Sequence, residues 1–132
     1  MGMSISEYRL TKKPKPLKYR NRPAEVDGER YRSQKEYRFH AMCKAQTKAA
    51  DPRQRIVKIE REVYFLLVPT QRSMYGKLLE RKAGYYLDFR VTFADGHVDH
   101  VDTKSPATRK IPSYIMKRKL MLDRHKIHVM EI

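Results

Sequence analysis

The stretch YLDFRVTFADGHVDHVDTKS, Tyr86–Ser105, decides how this chain is read. Apolar and polar residues alternate on both sides of Ala94-Asp95-Gly96, the pattern of a half-buried β-hairpin. A two-residue Asp95-Gly96 loop would set Phe89 opposite Asp102. A three-residue loop with Gly96 in the left-handed position sets Phe89 opposite Val101 and Asp88 opposite Asp102. A slip of one residue flips every side chain to the other face, so apolar patterning must choose. Leu87, Phe89, Val91 and Phe93 are expected on one face, and only the three-residue loop puts Val101 with them. That register moves Val98 to the polar face. It makes Asp88 and Asp102 cross-strand neighbours, with Lys104 two residues further on the same side. Like charges directly opposite each other destabilise a sheet. A divalent cation between them reverses that sign, and a salt bridge to Lys104 is the simpler remedy.

The rest of the chain is strongly basic. Its 132 residues carry 30 Lys and Arg against 15 Asp and Glu, a net charge of +15. Such a charge opposes compactness unless a polyanion screens it, and nucleic acid is the first candidate. Its length suffices for one small domain with one core, while a hydrophobic content of 40% is on the low side for a compact globule and is diluted by a polar tail. No apolar run approaches the ~18 residues of a membrane span, and no apolar signal core is visible near Met1. The expectation is a cytoplasmic protein with no membrane partner. The single cysteine, Cys43, excludes an internal disulfide and a thiolate zinc site.

Residues 1–23 read as a basic flexible arm and 24–132 as the folded domain. Within the arm Lys12, Lys13, Lys15, Lys18, Arg20 and Arg22 stand among prolines without apolar periodicity. That composition fits both a solvated leader and a segment lying along phosphates. Asp27-Gly28 signals a turn. Ser33 opens a helix, with Glu36 at capping-box spacing, and Asp51-Pro52 closes it. Tyr37, His40, Met42, Cys43 and Ala45 form its apolar side. Residues 55–68 read as one strand, or as two with a bend near Glu60 to Glu62. Residues 70–84 read as a basic loop. After the hairpin, Ser113 begins a second helix, with Tyr114, Ile115, Leu120, Met121 and Leu122 on its buried side. Residues 127–132 alternate as a last strand. The order is helix, three strands, helix, strand, an α/β fold.

Two carboxylates on adjacent strands suit Mg²⁺ or Mn²⁺, hard ions often held by one or two carboxylates together with phosphate and water. With Asp88 followed at a distance by Asp102-Thr103-Lys104, the chain resembles the restriction-endonuclease-like, PD-(D/E)XK superfamily, whose minimal core has this element order. More narrowly, VDGERYRSQKEYRF, YYLDF and VDTKS are similar to a family of small phage-associated nucleases. That family is itself similar to phage Holliday-junction resolvases. The resemblance spans roughly residues 25–132. Two positions depart from the superfamily pattern: Leu87 stands where proline is frequent, and Ser105 where glycine usually follows the lysine.

The resemblance implies a Mg²⁺-dependent endodeoxyribonuclease acting on branched or structured DNA in phage recombination or replication, as a homodimer with two sites. It implies that Asp88 and Asp102 bind the metal with the Thr103 carbonyl and Glu36, that Lys104 orients the attacking water, and that Lys117 and Lys119 lie near the phosphates. Glu36 has a second reading, as the cap partner of Ser33 alone. Asp99 reads as an edge or solvent-facing residue, His100 as a hydrogen-bonded histidine that makes a poor metal pair with His97 on the opposite face, His125 and His128 as structural, and Cys43 as core. Tyr85, Tyr86 and Tyr114 read as packing residues or as aromatics that stack on unpaired bases. A non-catalytic nucleic-acid-binding protein is the alternative. Its charge would be the same, but it has no use for acids facing a polyanion.

Overall fold

A computed structural model describes residues 23–26 and 28–132. Asp27 and residues 1–22 lie outside the described residues, and with them the predicted arm cations Lys12, Lys13, Lys15, Lys18, Arg20 and Arg22. The elements are β1 (Ala24–Val26), β2 (Glu29–Tyr31), α1 (Gln34–Gln46), β3 (Ile56–Val68), β4 (Gln71–Arg72), β5 (Leu78–Glu80), β6 (Ala83–Phe93), β7 (Val98–Asp102), α2 (Pro106–Arg109), α3 (Pro112–His125) and β8 (Val129–Glu131). The main sheet runs β3-β6-β7-β8, antiparallel except for the parallel β7–β8 pair. It is a mixed sheet flanked by helices.

The hairpin adopts the register of the three-residue loop. Phe89 pairs with Val101, Phe93 N donates to His97 O at 2.9 Å, and Gly96 has φ +97°, a left-handed value that glycine adopts without steric cost. Val98 is exposed, as that register requires.

The expectation that Leu87 shares a face with Phe89 and Val91 fails. Phe89, Val91 and Val101 pack with Cys43 and Ile56, and Phe39 of α1 joins them. Tyr85 and Leu87 pack instead with Val129 and with Tyr114 and Met121 of α3. Val129 is the lateral partner of His100, so it lies on the face opposite to that of Val101. The two helices therefore cover opposite faces, and β6 changes face at Asp88. The cause lies across the ladder. Glu62, between the pairs Arg61↔Phe89 and Val63↔Leu87, has φ +52°. A left-handed residue within a strand breaks the two-residue alternation at that point. β3 changes face at the same point, since Ile59 serves the α1 side and Val63 and Phe65 the α3 side. The bend expected near Glu60 to Glu62 is thus a turn within one continuous strand.

Further differences have local reasons. Residues 70–84 are not a loop throughout: β4 and β5 pair as a small two-stranded sheet of their own, and β6 already begins at Ala83. Ser33 caps α1, its hydroxyl accepting from Glu36 N at 3.2 Å, but the helix ends at Gln46, before Asp51-Pro52. Met42 and Leu122 are exposed rather than core. Ser105 caps a short helix, α2, that apolar periodicity does not reveal, its hydroxyl accepting from Thr108 N at 3.2 Å.

A non-glycine residue at φ near +52° costs roughly 1–2 kcal/mol, and a β-branched one more. Glu62→Gly is expected to raise unfolding stability by up to about 1 kcal/mol, and Glu62→Val to lower it. Urea unfolding of the two variants against the parent chain checks this.

Candidate active site

The site forms where β6 and β7 part. Their ladder runs from Thr92↔Val98 to Phe89↔Val101. At the next rung Asp88 N donates to the Asp102 carboxylate, at 3.0 Å to Oδ1. Asp88 in turn accepts at Oδ2 from Thr103 N at 2.9 Å and Thr103 Oγ1 at 2.8 Å. The two aspartates so pin the fork to each other. β7 meanwhile holds β8, with Asp102 beside Glu131 and Lys104 N donating to Ile132 O at 3.0 Å.

Both carboxylates are buried, Asp102 completely. Asp102 Oδ2 has no hydrogen-bond partner among the described residues. Its nearest cation is Lys104, with Nζ at 3.8 Å, and Lys104 also lies 5.1 Å from the centre of the Tyr114 ring. Burial penalises the charged carboxylate and raises the Asp102 pKa to about 6. The Lys104 ammonium and the Asp88 amide pull it down and do not compensate.

Glu36 is also buried, but both its oxygens are engaged. Oε2 accepts from Arg32 N at 2.9 Å, and Oε1 from Arg61 Nη2 at 3.2 Å. It reaches one residue past the capping-box position, which would be Ser33 N, to the amide of Arg32. Arg61 also lies over the Tyr31 ring, with Cζ 4.2 Å from its centre, and donates to Arg30 O at 2.9 Å. Tyr31 donates to Glu29 at 2.6 Å, so His40 Nδ1, at 2.8 Å from Tyr31 Oη, supplies the proton of that second bond. Burial lowers the His40 pKa, consistent with a neutral ring. The network clamps the β1–β2 hairpin to the start of α1 and holds Arg32 in place. Among the described residues no three His, Cys, Asp or Glu side chains gather as a metal cluster. The structure brings Asp88, Asp102, Thr103 and Lys104 together, and ties Glu36 to Arg61.

A cleft of about 270 Å³ opens beside Lys104, between the start of β6 and the start of α3. Arg32, Lys104 and Lys117 supply its cations, and Thr108 and Ser113 add hydroxyls. Lys119 lies elsewhere, in a hollow with Arg118, His128 and Glu131. Sequence reasoning missed Arg32, Thr108 and Ser113. The only signal was their place beside caps and turns, because no periodic pattern marks a cleft wall. Asp99 is half-buried, opposite Val91. His100 lies 6.2 Å from the Phe65 ring, and burial lowers its pKa.

The Asp102 shift sets a pH dependence. Its folded pKa, about 6, exceeds its ordinary value of 3.8. Folding therefore gains stability from a protonated Asp102 below about pH 4, and loses it as pH rises through about 6. The ionised form costs about 1–3 kcal/mol at pH 8 in the absence of a bound cation. Asp102→Asn keeps the acceptor for Asp88 N and removes the charge. It is expected to unfold at higher temperature than the parent chain at pH 8 in EDTA, and to match it at pH 4. Thermal melts at the two pH values check the difference.

No curated protein and no solved structure matches the chain. A family model described as a protein of unknown function, DUF1064, matches residues 16–130. A fork of two mutually bonded aspartates beside a lysine and a basic cleft is thus the candidate site of a chain that belongs to the DUF1064 family.

Proposed function

We propose that the protein is a metal-dependent endonuclease that hydrolyses phosphodiester bonds in branched or structured DNA, with a restriction-endonuclease-like core. One observation carries the reading: a fully buried carboxylate oxygen, Asp102 Oδ2, without a hydrogen-bond donor, beside a lysine at the edge of a basic cleft. An unpaired buried charge is costly, and functional sites are where such costs concentrate. The donor set fits Mg²⁺ or Mn²⁺, since Asp88, Asp102 and the Thr103 carbonyl offer hard oxygen ligands. A bound divalent ion would supply Lewis acidity and a lowered pKa for its water.

The chain's own groups do the rest. Asp88 and Asp102 would hold the ion, with Asp88 oriented by its two bonds from Thr103. Lys104, steadied by Asp102 and the Tyr114 ring, would orient the attacking water toward phosphorus. Arg32 and Lys117 would hold neighbouring phosphates in the cleft. Glu36 was a candidate ligand by resemblance; its bonds to Arg32 and Arg61 suit a brace for the cleft wall equally well. Lys119, on another hollow, would meet DNA only outside that cleft. The arm cations would add sequence-independent phosphate contacts, and a homodimer would place two sites on two strands. Among the described residues no helix is long and apolar enough to cross a membrane.

The test is cleavage of labelled four-way junction, flap and linear duplex with Mg²⁺, with Mn²⁺ and with EDTA. Metal-dependent cutting is expected. Asp102→Ala should abolish it while leaving DNA affinity unchanged or tighter, because a negative charge is lost. Lys104→Met should slow it by about 10²–10⁴-fold, the range for a lost proton-transfer partner. Binding without cutting under every metal would instead establish the non-catalytic nucleic-acid-binding reading. Deleting residues 1–22 should flatten the salt dependence of affinity, by about 0.9 in log–log slope for each duplex phosphate contact removed. A titration at several salt concentrations measures it.

A further inference from the structure

Tyr86, two residues before Asp88, is 57% exposed and lines the same cleft as Lys104. It does not belong to either core cluster. Its cross-strand partner is Tyr64, with ring centres 5.0 Å apart, and Tyr64 is also exposed. The Tyr64 ring lies over the Gly84 backbone so closely that a Cβ there would fall 2.2 Å from it. Glycine at this position lets the ring lie down against the strand. Lys82 Nζ stands 5.6 Å from the centre of the Tyr64 ring. The result is an exposed aromatic shelf that begins at Tyr86 on the cleft wall and runs on to Tyr64 beyond it. The cations Arg32, Lys104 and Lys117 also line that cleft.

Bases in a duplex are stacked on each other and offer no face to such a shelf. An unpaired base does, and its phosphates then meet the cations. Aromatic platforms beside a positive groove are how single strands are held without sequence preference. We propose that the Tyr86–Tyr64 shelf stacks an unpaired base next to the site, so that a single-stranded segment, and not duplex alone, is the recognised substrate feature. This rests on the nucleic-acid reading of the site and narrows its substrate class. A cross-strand tyrosine pair can also serve only to stabilise the sheet, and the test separates the two roles.

The test measures affinity in EDTA by fluorescence anisotropy, using a short oligothymidylate, the same strand with its central bases replaced by abasic sites, and a duplex. Wild-type protein should bind the thymidylate more tightly than the abasic strand. Tyr86→Ala should weaken thymidylate binding by about five- to a hundred-fold, leave duplex binding within about twofold, and no longer distinguish the two strands. Tyr86→Phe should retain the discrimination, which guards against loss through misfolding. Equal losses on strand and duplex, or an alanine variant that still prefers bases over abasic sites, would overturn the shelf. Because no cleavage is involved, the two readings fail separately. Base discrimination without any metal-dependent cutting would support the shelf and overturn the nuclease. Cutting with no base discrimination would overturn the shelf alone.

Discussion

The hydrogen bond from Asp88 N to the Asp102 carboxylate is the contact on which the site depends. A strand amide leaving its ladder must find another acceptor, because a buried orphan donor costs about as much as a lost hydrogen bond. Here a side chain of the neighbouring strand supplies it. That allows β6 and β7 to separate at this point without an energetic penalty in the backbone. It also anchors one oxygen of Asp102 and leaves the other, Oδ2, without a donor. The strand fork follows from that bond, whereas the raised Asp102 pKa follows from burial, which the bond only partly offsets.

The face change at Asp88 and Glu62 gives the fork its place in the fold. One long strand pair serves α1 with its Phe89 half and α3 with its Leu87 half. Both helices can then be packed by β3 and β6, and the crossing point falls at the aspartate. Phe89 and Leu87 are each fully buried, so neither half can rotate without exposing a large apolar side chain. Packing on both sides fixes the twist, and the twist aims Asp88 at the end of β7. A left-handed Glu62 is tolerated because that packing over-determines it.

Around this centre the basic residues divide by role. Arg61 is half-enclosed and committed to Glu36 and the Tyr31 ring. Arg118 is paired with Glu131 at 2.9 Å, and Arg90 with Glu60, whose pKa that bond lowers to about 2. Such cations brace the fold. Arg32, Lys104 and Lys117 converge on one cleft, where an anion would find them together. A net charge of +15 does not distinguish bracing cations from converging ones; their positions in space do.

What the sequence by itself determined follows from local chemistry. The hairpin register came from a glycine suited to a left-handed turn and from Val101 needing an apolar face. The Ser33 cap came from a hydroxyl that can accept from the amide three residues on, and Cys43 in the core from an apolar helix side. These depend on neighbours within a few residues. The tertiary structure decided the rest. Leu87 and Phe89 are equally apolar, so alternation could not show that they serve different helices. Arg61 is 25 residues from Glu36, and nothing local marks them as partners. Arg32, Gly84, Lys104 and the α3 pair Ser113 and Lys117 come from four separate parts of the chain and meet only once the sheet has twisted and both helices have packed. Turns and caps are short-range free-energy minima that residue types announce, whereas a cleft wall is a consequence of long-range packing that no single segment contains.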